Sequence, residues 1–448
     1  MEEIMDIYKQ IALDIKSDIY NKKYTSSKKL PSIRSLCSEY SCSKSTSIKA
    51  YESLINEHLI YSIPQSGYYV VEEHLNNLSY PNIIDFSNGN LNMGRILTPD
   101  LKHCLDRAVD IYGNQPVDFH LMGIDSLKSL LPNYLSNFQV FVPKENIFIN
   151  LGIQQILSLL TNMPFPNGKT KILLENPTYK YFLDFLKYSK IDFISIDRTP
   201  SGIDLNELEN LFKTGDIKFF YTTPRNHNPL GTKYSKTQRK AIAELAIKYD
   251  VYIVEDDYFG DIEFDSKFDP IYAYGDHSHF IYLKSFTKII PWIKIGLAVI
   301  PTELIDEFNR QASYSYYYSY FVPSLISQAT LEIYLKSNIL SKHVKLIKKQ
   351  QKSRLKAFSD ELKNLTNTNV KVSSLDTSLY SYIYLPEGVS ESSLVYSLKT
   401  KGVLVSAGYN YFASNLNYKK GVRVSIARTD ENQIRAGMRI LIDELNKV

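Results

Sequence analysis

The chain has 448 residues, 44% of them hydrophobic, which is enough for two or three domains with cores of their own. Its formal net charge is only +4, which excludes a polycation and confines any nucleic-acid footprint to a local patch. Three cysteines, Cys37, Cys42 and Cys104, show no CxxC spacing, which argues against a disulfide frame or a zinc site and for a reducing compartment. The start Met1-Glu2-Glu3-Ile4 is acidic, unlike a signal peptide, and no apolar run approaches a membrane span. A cytoplasmic protein with no membrane partner is therefore expected.

At the N-terminus Ile4, Ile7, Ile11, Ile15 and Ile19 recur at three- to four-residue spacing, which predicts an amphipathic helix. Asn21 to Lys29 is polar and reads as a turn. A second helix follows Leu30-Pro31, with Ser32 as N-cap and Leu36 facing inward. After the turn Ser41-Cys42-Ser43 a third helix runs from about Lys44 to Glu57, with Ile48, Tyr51 and Leu54/Ile55 as its apolar stripe. Leu59 to Ser62 and Gly67 to Val71 are strand-like and flank Pro64-Gln65-Ser66. Two short helices, a tight turn and a hairpin match a winged helix-turn-helix. Lys22, Lys23, Lys28, Lys29, Arg34, Lys44 and Lys49 are opposed there only by Glu39, the local cation surplus that DNA contact needs. A solvated basic face on a small helical domain is the alternative source of that charge.

Glu72 to Pro81 is the only stretch that reads as a linker, and it is short. Beyond it helix-like and short strand-like segments alternate, which predicts an α/β domain with a mainly parallel sheet. Asn150-Leu151-Gly152-Ile153-Gln154 follows an apolar strand and opens a helix, whose backbone N–H groups suit a phosphate. Glu175-Asn176-Pro177-Thr178-Tyr179 brings an aromatic ring to the end of a strand, and Tyr221 to Gly231 ends another in a polar turn containing Asn228. Glu255-Asp256-Asp257-Tyr258 carries a third strand directly into acids. Adjacent carboxylates at a strand end commonly mark a solvated loop or a metal site, but no matching ligand cluster exists, so no metal is expected. In Ser285-Phe286-Thr287-Lys288 a lysine flanked by hydroxyls stands at the mouth of an apolar strand, which suits a Schiff-base lysine. A surface lysine in a strand-to-loop turn is the alternative. The tyrosine-dense run Tyr314 to Phe321 suits a ligand pocket, a dimer seam or core packing. Arg423 sits inside the apolar strand Gly421 to Ser425, where burial asks for an anion.

In open α/β sheets ligands bind at the carboxyl ends of strands, and these segments all deliver polar residues there. Together they suit a ligand with a carbonyl, a cationic ring nitrogen and a phosphate, with a carboxylate on its substrate. Pyridoxal phosphate (PLP) meets that description.

Two resemblances extend this reading. Leu30-Pro-Ser-x-Arg34-x-Leu, Ser43-Lys44-x-Thr46, Ala50-Tyr51-Glu52-x-Leu54 and Gly67-x-x-Val70 resemble a GntR-type winged helix. The resemblance implies that Arg34 and Lys44 touch DNA, within a candidate surface of Arg34, Ser43, Lys44, Thr46, Lys49 and Gly67. The second set, from Gly152 to Arg423, is similar in content and order to a fold-type I aminotransferase with a small C-terminal α+β subdomain. By that likeness Lys288 carries PLP, Asp256 pairs with the ring nitrogen, and Asn228 and Tyr258 bind the ring hydroxyl. Tyr179 stacks on the ring. Ile153, Gln154, Ser285, Thr287 and Lys294 surround the phosphate, and Arg423 holds a carboxylate. The family usually has Arg, one residue later, where this chain has Lys294, and the stretch Phe119 to Gly123 lacks a tyrosine the family often supplies.

A winged helix over 1–72, a linker over 73–83 and an aminotransferase-like domain over 84–448 resemble the architecture of MocR-type transcriptional regulators. The implied protein is a homodimer that binds double-stranded operator DNA and responds to an amine, an amino acid or PLP. A working PLP-dependent aminotransferase that also touches DNA is the alternative, and a PLP-free interaction scaffold is a third.

Overall fold

The computed structural model describes residues 6–21, 23–24, 29–57, 59–71, 83–91, 98–114, 123–265, 267–319, 321–373, 379–414 and 417–447. Lys22, Lys28, the linker up to residue 82, residues 119–122 and Tyr320 lie outside them. By its contacts the chain divides into two compact units, Met1–Asn82 and Ile83–Val448.

The first unit contains α1 (Ile7–Tyr20), α2 (Ile33–Glu39), α3 (Lys44–Asn56) and a hairpin of β1 (Ile60–Ile63) and β2 (Gly67–Val70). Ser32 and Ser43 cap α2 and α3 by accepting the N–H of Ser35 and Thr46. Ile11, Ile15, Leu36, Tyr51 and Leu54 are buried together. The inward stripe of α3 differs from the sequence reading: Ser47, Ala50, Tyr51 and Leu54 are buried, while Ile48 is half-buried. The reason is that Tyr51 and Leu54 set the face, and at 3.6 residues per turn position 47 lies one turn before Tyr51 and two turns before Leu54. The Tyr51 hydroxyl donates to Pro31 O at 2.6 Å, and its ring packs on Tyr68 of the hairpin with centroids 4.2 Å apart.

The second unit opens with β3 (Ile84–Asp85), α4 (Thr98–Tyr112), α5 (Asp125–Lys128) and α6 (Leu131–Ser136). Alternating elements follow: β4 (Ile147–Asn150), α7 (Ile153–Asn162), β5 (Lys171–Asn176), α8 (Lys180–Tyr188), β6 (Phe193–Asp197), α9 (Leu205–Thr214), β7 (Ile217–Thr222), α10 (Lys236–Lys248) and β8 (Tyr252–Asp257). Next come β9 (Phe280–Ser285), β10 (Gly296–Val299), α11 (Ile305–Ser319), α12 (Leu325–Lys336) and α13 (Ile339–Leu362). The last stretch holds β11 (Lys371–Val372), β12 (Tyr380–Tyr384), α14 (Glu391–Thr400), β13 (Val403–Leu404), β14 (Ser406–Ala407), β15 (Gly421–Ser425) and α15 (Glu431–Leu445).

Seven strands form one sheet in the order β4-β10-β9-β8-β7-β5-β6, in which β10 alone runs against the rest. Successive strand residues feed opposite faces. Tyr252 and Val254 pack with residues of α7, α8 and α11, whereas Ile253 packs with those of α4 to α6, α9, α10 and α12. Because both faces are covered, the strands read as unbroken apolar runs. A second, antiparallel sheet, β11-β12-β15-β14, shares a core with α13, α14 and α15, and β3 pairs in parallel with β13. This is an α/β fold with a small α+β subdomain. Among the described residues no helix is long and apolar enough to cross a membrane.

Candidate functional site

The sheet register brings the expected cleft residues to one edge. Asn150, Gly296 and Ser285 stand in one row across β4, β10 and β9, and Asp256 lies opposite Leu283 on the neighbouring pair. Between β4 and α7, Gly152 has φ 122°, a left-handed value that costs glycine little, and a Cβ there would meet nothing within 4 Å. On its other side Gly296 presses close: a Cβ on Gly296 would come within 2.7 Å of Gly152 Cα. The N–H groups opening α7 at Ile153 and Gln154 have no partner within the helix, as in any helix start, and face an uncrowded turn. The Ser285 and Thr287 hydroxyls are 2.8 Å apart.

Lys288 follows β9 and reaches back to the segment after β3, donating to Gly89 O at 2.6 Å and Asn90 Oδ1 at 3.3 Å. Its Nζ lies 5.7 Å from the Tyr258 ring centre. Burial lowers its pKa to about 8, helped by the charge of Arg423 and opposed by Asp256. Asp256 is buried at the end of β8, and burial raises its carboxyl to about 7. Its Oδ2 accepts the Tyr221 hydroxyl at 2.7 Å, and its Oδ1 is buried with no hydrogen-bond partner among the described residues. The three acids Glu255, Asp256 and Asp257 are strand residues, each buried, and not a solvated loop. Each has its own enclosure: Glu255 accepts the N–H groups of Ile271 and Tyr272, and Asp257 pairs with Arg225.

Tyr179 hydrogen-bonds Gln154 Nε2 at 3.0 Å. The Tyr258 hydroxyl donates to Asn226 O at 2.6 Å, and Asn228 Oδ1 accepts from Arg423 Nη1 at 3.2 Å. Arg423, buried in β15, also donates to Ser87 O and lies between the rings of Tyr380 and Tyr411, at 4.7 and 5.2 Å. Lys294 is exposed in the turn before β10 and makes no hydrogen bond or ion pair among the described residues.

These residues fit pyridoxal phosphate. An orphaned buried carboxylate oxygen suits a protonated ring nitrogen, a lysine with a depressed pKa suits covalent attachment, and the Gly152 turn suits an anion. No group of three or more His, Cys, Asp or Glu side chains among the described residues is placed to hold a metal. Four participants escape sequence reading. Tyr221 and Tyr380 sit within ordinary apolar strands, and Gly89 and Asn90 belong to a segment without a motif. Only the position of Tyr221 at a strand's carboxyl end hinted at it.

In the first unit Arg34 and Lys44 are exposed and make no hydrogen bond or ion pair among the described residues. Lys49 lies 4.1 Å over the Tyr8 ring, while Ser43 and Thr46 are joined in the cap of α3, hydroxyl to hydroxyl at 2.8 Å. Gly67, with φ 130°, lets the Lys29 side chain cross the hairpin: a Cβ there would meet Lys29 Cε at 2.3 Å.

Two family models match the chain: "Aminotransferase class I and II" over residues 83–441 and "Bacterial regulatory proteins, gntR family" over residues 7–70. An uncharacterized HTH-type transcriptional regulator, YcxD of Bacillus subtilis strain 168, is 37% identical over 98% of this chain and 100% of its own length. Aromatic-amino-acid aminotransferase 1 of Thermococcus litoralis is 28% identical over 72% of this chain and 78% of its own. Among solved structures, the kynurenine aminotransferase of Pyrococcus horikoshii superposes with a TM-score of 0.75 at 23% identity, covering 84% of this chain and 93% of that one.

Proposed function

The chain belongs to the aminotransferase class I and II family and carries a gntR-family regulatory module ahead of it, the MocR-type arrangement; from that premise we propose a DNA-binding transcriptional regulator whose large unit holds pyridoxal phosphate and senses an amine, an amino acid or the cofactor itself. The observation that carries the reading is the pairing of Lys288, with its pKa depressed to about 8, and the buried, unpartnered Oδ1 of Asp256 in one cleft.

When bound, the cofactor supplies an aldehyde for amines and an electron-withdrawing ring. Lys288, neutral above its lowered pKa, is the attaching amine. Asp256 would pair with the ring nitrogen, and Tyr179, beside Gln154, would stack on the ring. The start of α7 with Ser285, Thr287 and Lys294 receives the phosphate, and Asn228 and Tyr258 orient the ring hydroxyl. Arg423, enclosed by two tyrosine rings, binds an effector carboxylate. Arg34 and Lys44 contact operator DNA, supported by Ser43, Thr46, Lys49 and Gly67. The exposed rings of Tyr314, Tyr317 and Tyr318 on α11 support self-association as a homodimer.

A second reading, a working aminotransferase, is favoured by the same filled positions at Lys288, Asp256, Tyr258 and Arg423. One experiment separates them: the visible absorption spectrum of the protein with added PLP, titrated with amino acids and amines. A band that shifts and stays shifted identifies the effector class of a sensor. Conversion to the pyridoxamine form, with recovery on adding a 2-oxo acid, identifies a transaminase. The absence of any band overturns both.

A further inference from the structure

Behind the sheet, on the face opposite Asp256, a cavity of about 590 Å³ opens between α6, the turn after β8 and the start of α13. Its size lies within the range of small-molecule sites, about 300–1,000 Å³. Tyr134, Phe138, Phe268, Leu335, Leu340 and Val344 give it apolar walls. Its floor is charged, and most of that charge is matched. Arg225 donates through Nε to Asp257 Oδ1 at 2.6 Å. Lys284 is 2.9 Å from Asp261 Oδ2 and 3.6 Å from the Phe138 ring centre, and the Tyr134 hydroxyl donates to Asp261 Oδ1 at 2.6 Å. Asp265 accepts the Lys267 N–H and lies 3.4 Å from Lys233.

Two charged groups in the lining lack a close partner among the described residues, at Glu263 Oε2 and at the Lys348 ammonium. Glu263 is 7% exposed, and its Oε1 accepts the N–H groups of Phe264 and Asp265 at 2.8 and 2.9 Å. Its Oε2 is buried with no hydrogen-bond partner among the described residues. Lys348, half-buried on α13, makes no hydrogen bond or ion pair among the described residues. Burial lowers its pKa, opposed by the charges of Asp261 and Glu263 and reinforced by those of Arg225 and Lys284. A buried carboxylate oxygen without a donor and a desolvated ammonium without an acceptor are each costly when left alone.

We propose that this cavity is a second small-molecule site, separate from the Lys288 cleft, for a free amino acid with an apolar side chain. The ligand's ammonium group meets Glu263 Oε2, its carboxylate meets Lys348, and its side chain lies against the apolar walls. A plain amine leaves Lys348 without an anion, and a plain carboxylic acid leaves Glu263 without a donor. A zwitterion answers both. None of the lining residues belongs to the Lys288 cleft, so the site stands whether or not the chain holds pyridoxal phosphate.

The test is isothermal titration of the full-length, cofactor-free protein with L-leucine and L-phenylalanine. Isopentylamine and 4-methylpentanoate serve as single-charge controls for leucine. Saturable binding of an amino acid is expected, at least about tenfold tighter than either control, since a charge-assisted hydrogen bond is worth that much or more. Glu263→Gln, which keeps the acceptor for the two backbone N–H groups, and Lys348→Met should each weaken binding at least about tenfold, with circular dichroism unchanged. Arg423→Leu should leave it as in the wild type. No saturable binding overturns the proposal. So does wild-type affinity in either the Glu263 or the Lys348 variant, or loss of binding in Arg423→Leu, which would move the ligand into the Lys288 cleft. A normal pyridoxal phosphate spectrum in the Lys348→Met protein would show that the cleft reading survives such a failure.

Discussion

Asp256 and Asp257 are neighbours on β8 and titrate in opposite directions. Alternation along the strand sends Asp256 to the face of α7 and α8 and Asp257 to the face of α6 and α12. Burial dominates Asp256 and raises its pKa to about 7, against the opposing hydrogen bond from Tyr221. Burial presses on Asp257 too, but Arg225 and Lys284 outweigh it and hold the carboxyl below its ordinary value. One peptide unit thus separates a carboxyl with an unpartnered oxygen among the described residues from one held in an internal ion pair.

Asp256 gives a pH signature in the cofactor-free protein. Its folded pKa lies above the unfolded value, so the native state holds its proton longer. The associated stability is complete below about pH 4 and is lost as pH rises through about 7. Asp256→Asn should therefore gain stability relative to the wild type as pH rises from 5 to 8, by a few degrees in Tm. Thermal unfolding at a series of pH values reads this, and parallel curves for the two proteins would contradict it.

Lys288→Ala should abolish covalent attachment of pyridoxal phosphate while leaving far-ultraviolet circular dichroism unchanged. Borohydride reduction followed by mass spectrometry of the intact chain checks it. A phosphopyridoxyl adduct on the variant would place the attachment elsewhere.

The rate of attachment should rise with pH about a midpoint near 8 and level off above it, since the neutral amine is the nucleophile. Arg423 is among the causes of that depressed value, after burial. Arg423→Leu should shift the midpoint to higher pH, and an unchanged midpoint would remove Arg423 from the electrostatics of the cleft.

Arg34→Ala and Lys44→Ala should each weaken binding to operator DNA and reduce the slope of log affinity against log salt by about 1. Fluorescence anisotropy at several salt concentrations measures both quantities. Binding insensitive to both substitutions would take this face of the winged helix out of the DNA interface.

Tyr51→Phe removes the bond to Pro31 O that ties α3 to the Leu-Pro-Ser turn. The expected cost is about 1 kcal/mol, or about 4–8 °C in the transition of a unit this small. Calorimetry should show that shift, with the spectrum of bound pyridoxal phosphate unaltered.

Much of this was legible from the chain alone because its strands announce themselves. Lys171 to Leu174, Val251 to Val254 and Tyr282 to Leu283 are apolar runs that break into polar residues, and the breaks mark the edge where the cleft forms. The cap Ser32 was equally plain. What stayed hidden depended on long-range register. That Glu255 and Asp257 turn inward, and that Tyr221 reaches Asp256, follows from strand pairing and not from local pattern. The grip of Gly89 and Asn90 on Lys288 joins segments with no shared motif.

The parallel pairing of β3 with β13 bears on how the chain is made. Ile84 and Asp85 emerge from the ribosome early, yet their ladder partners are Val403 and Leu404. The first strand of the large unit therefore waits, unpaired, through most of translation. The winged helix, built from contacts within its own unit, can be complete long before. For that interval the nascent protein can present a finished winged helix while the large unit is still incomplete.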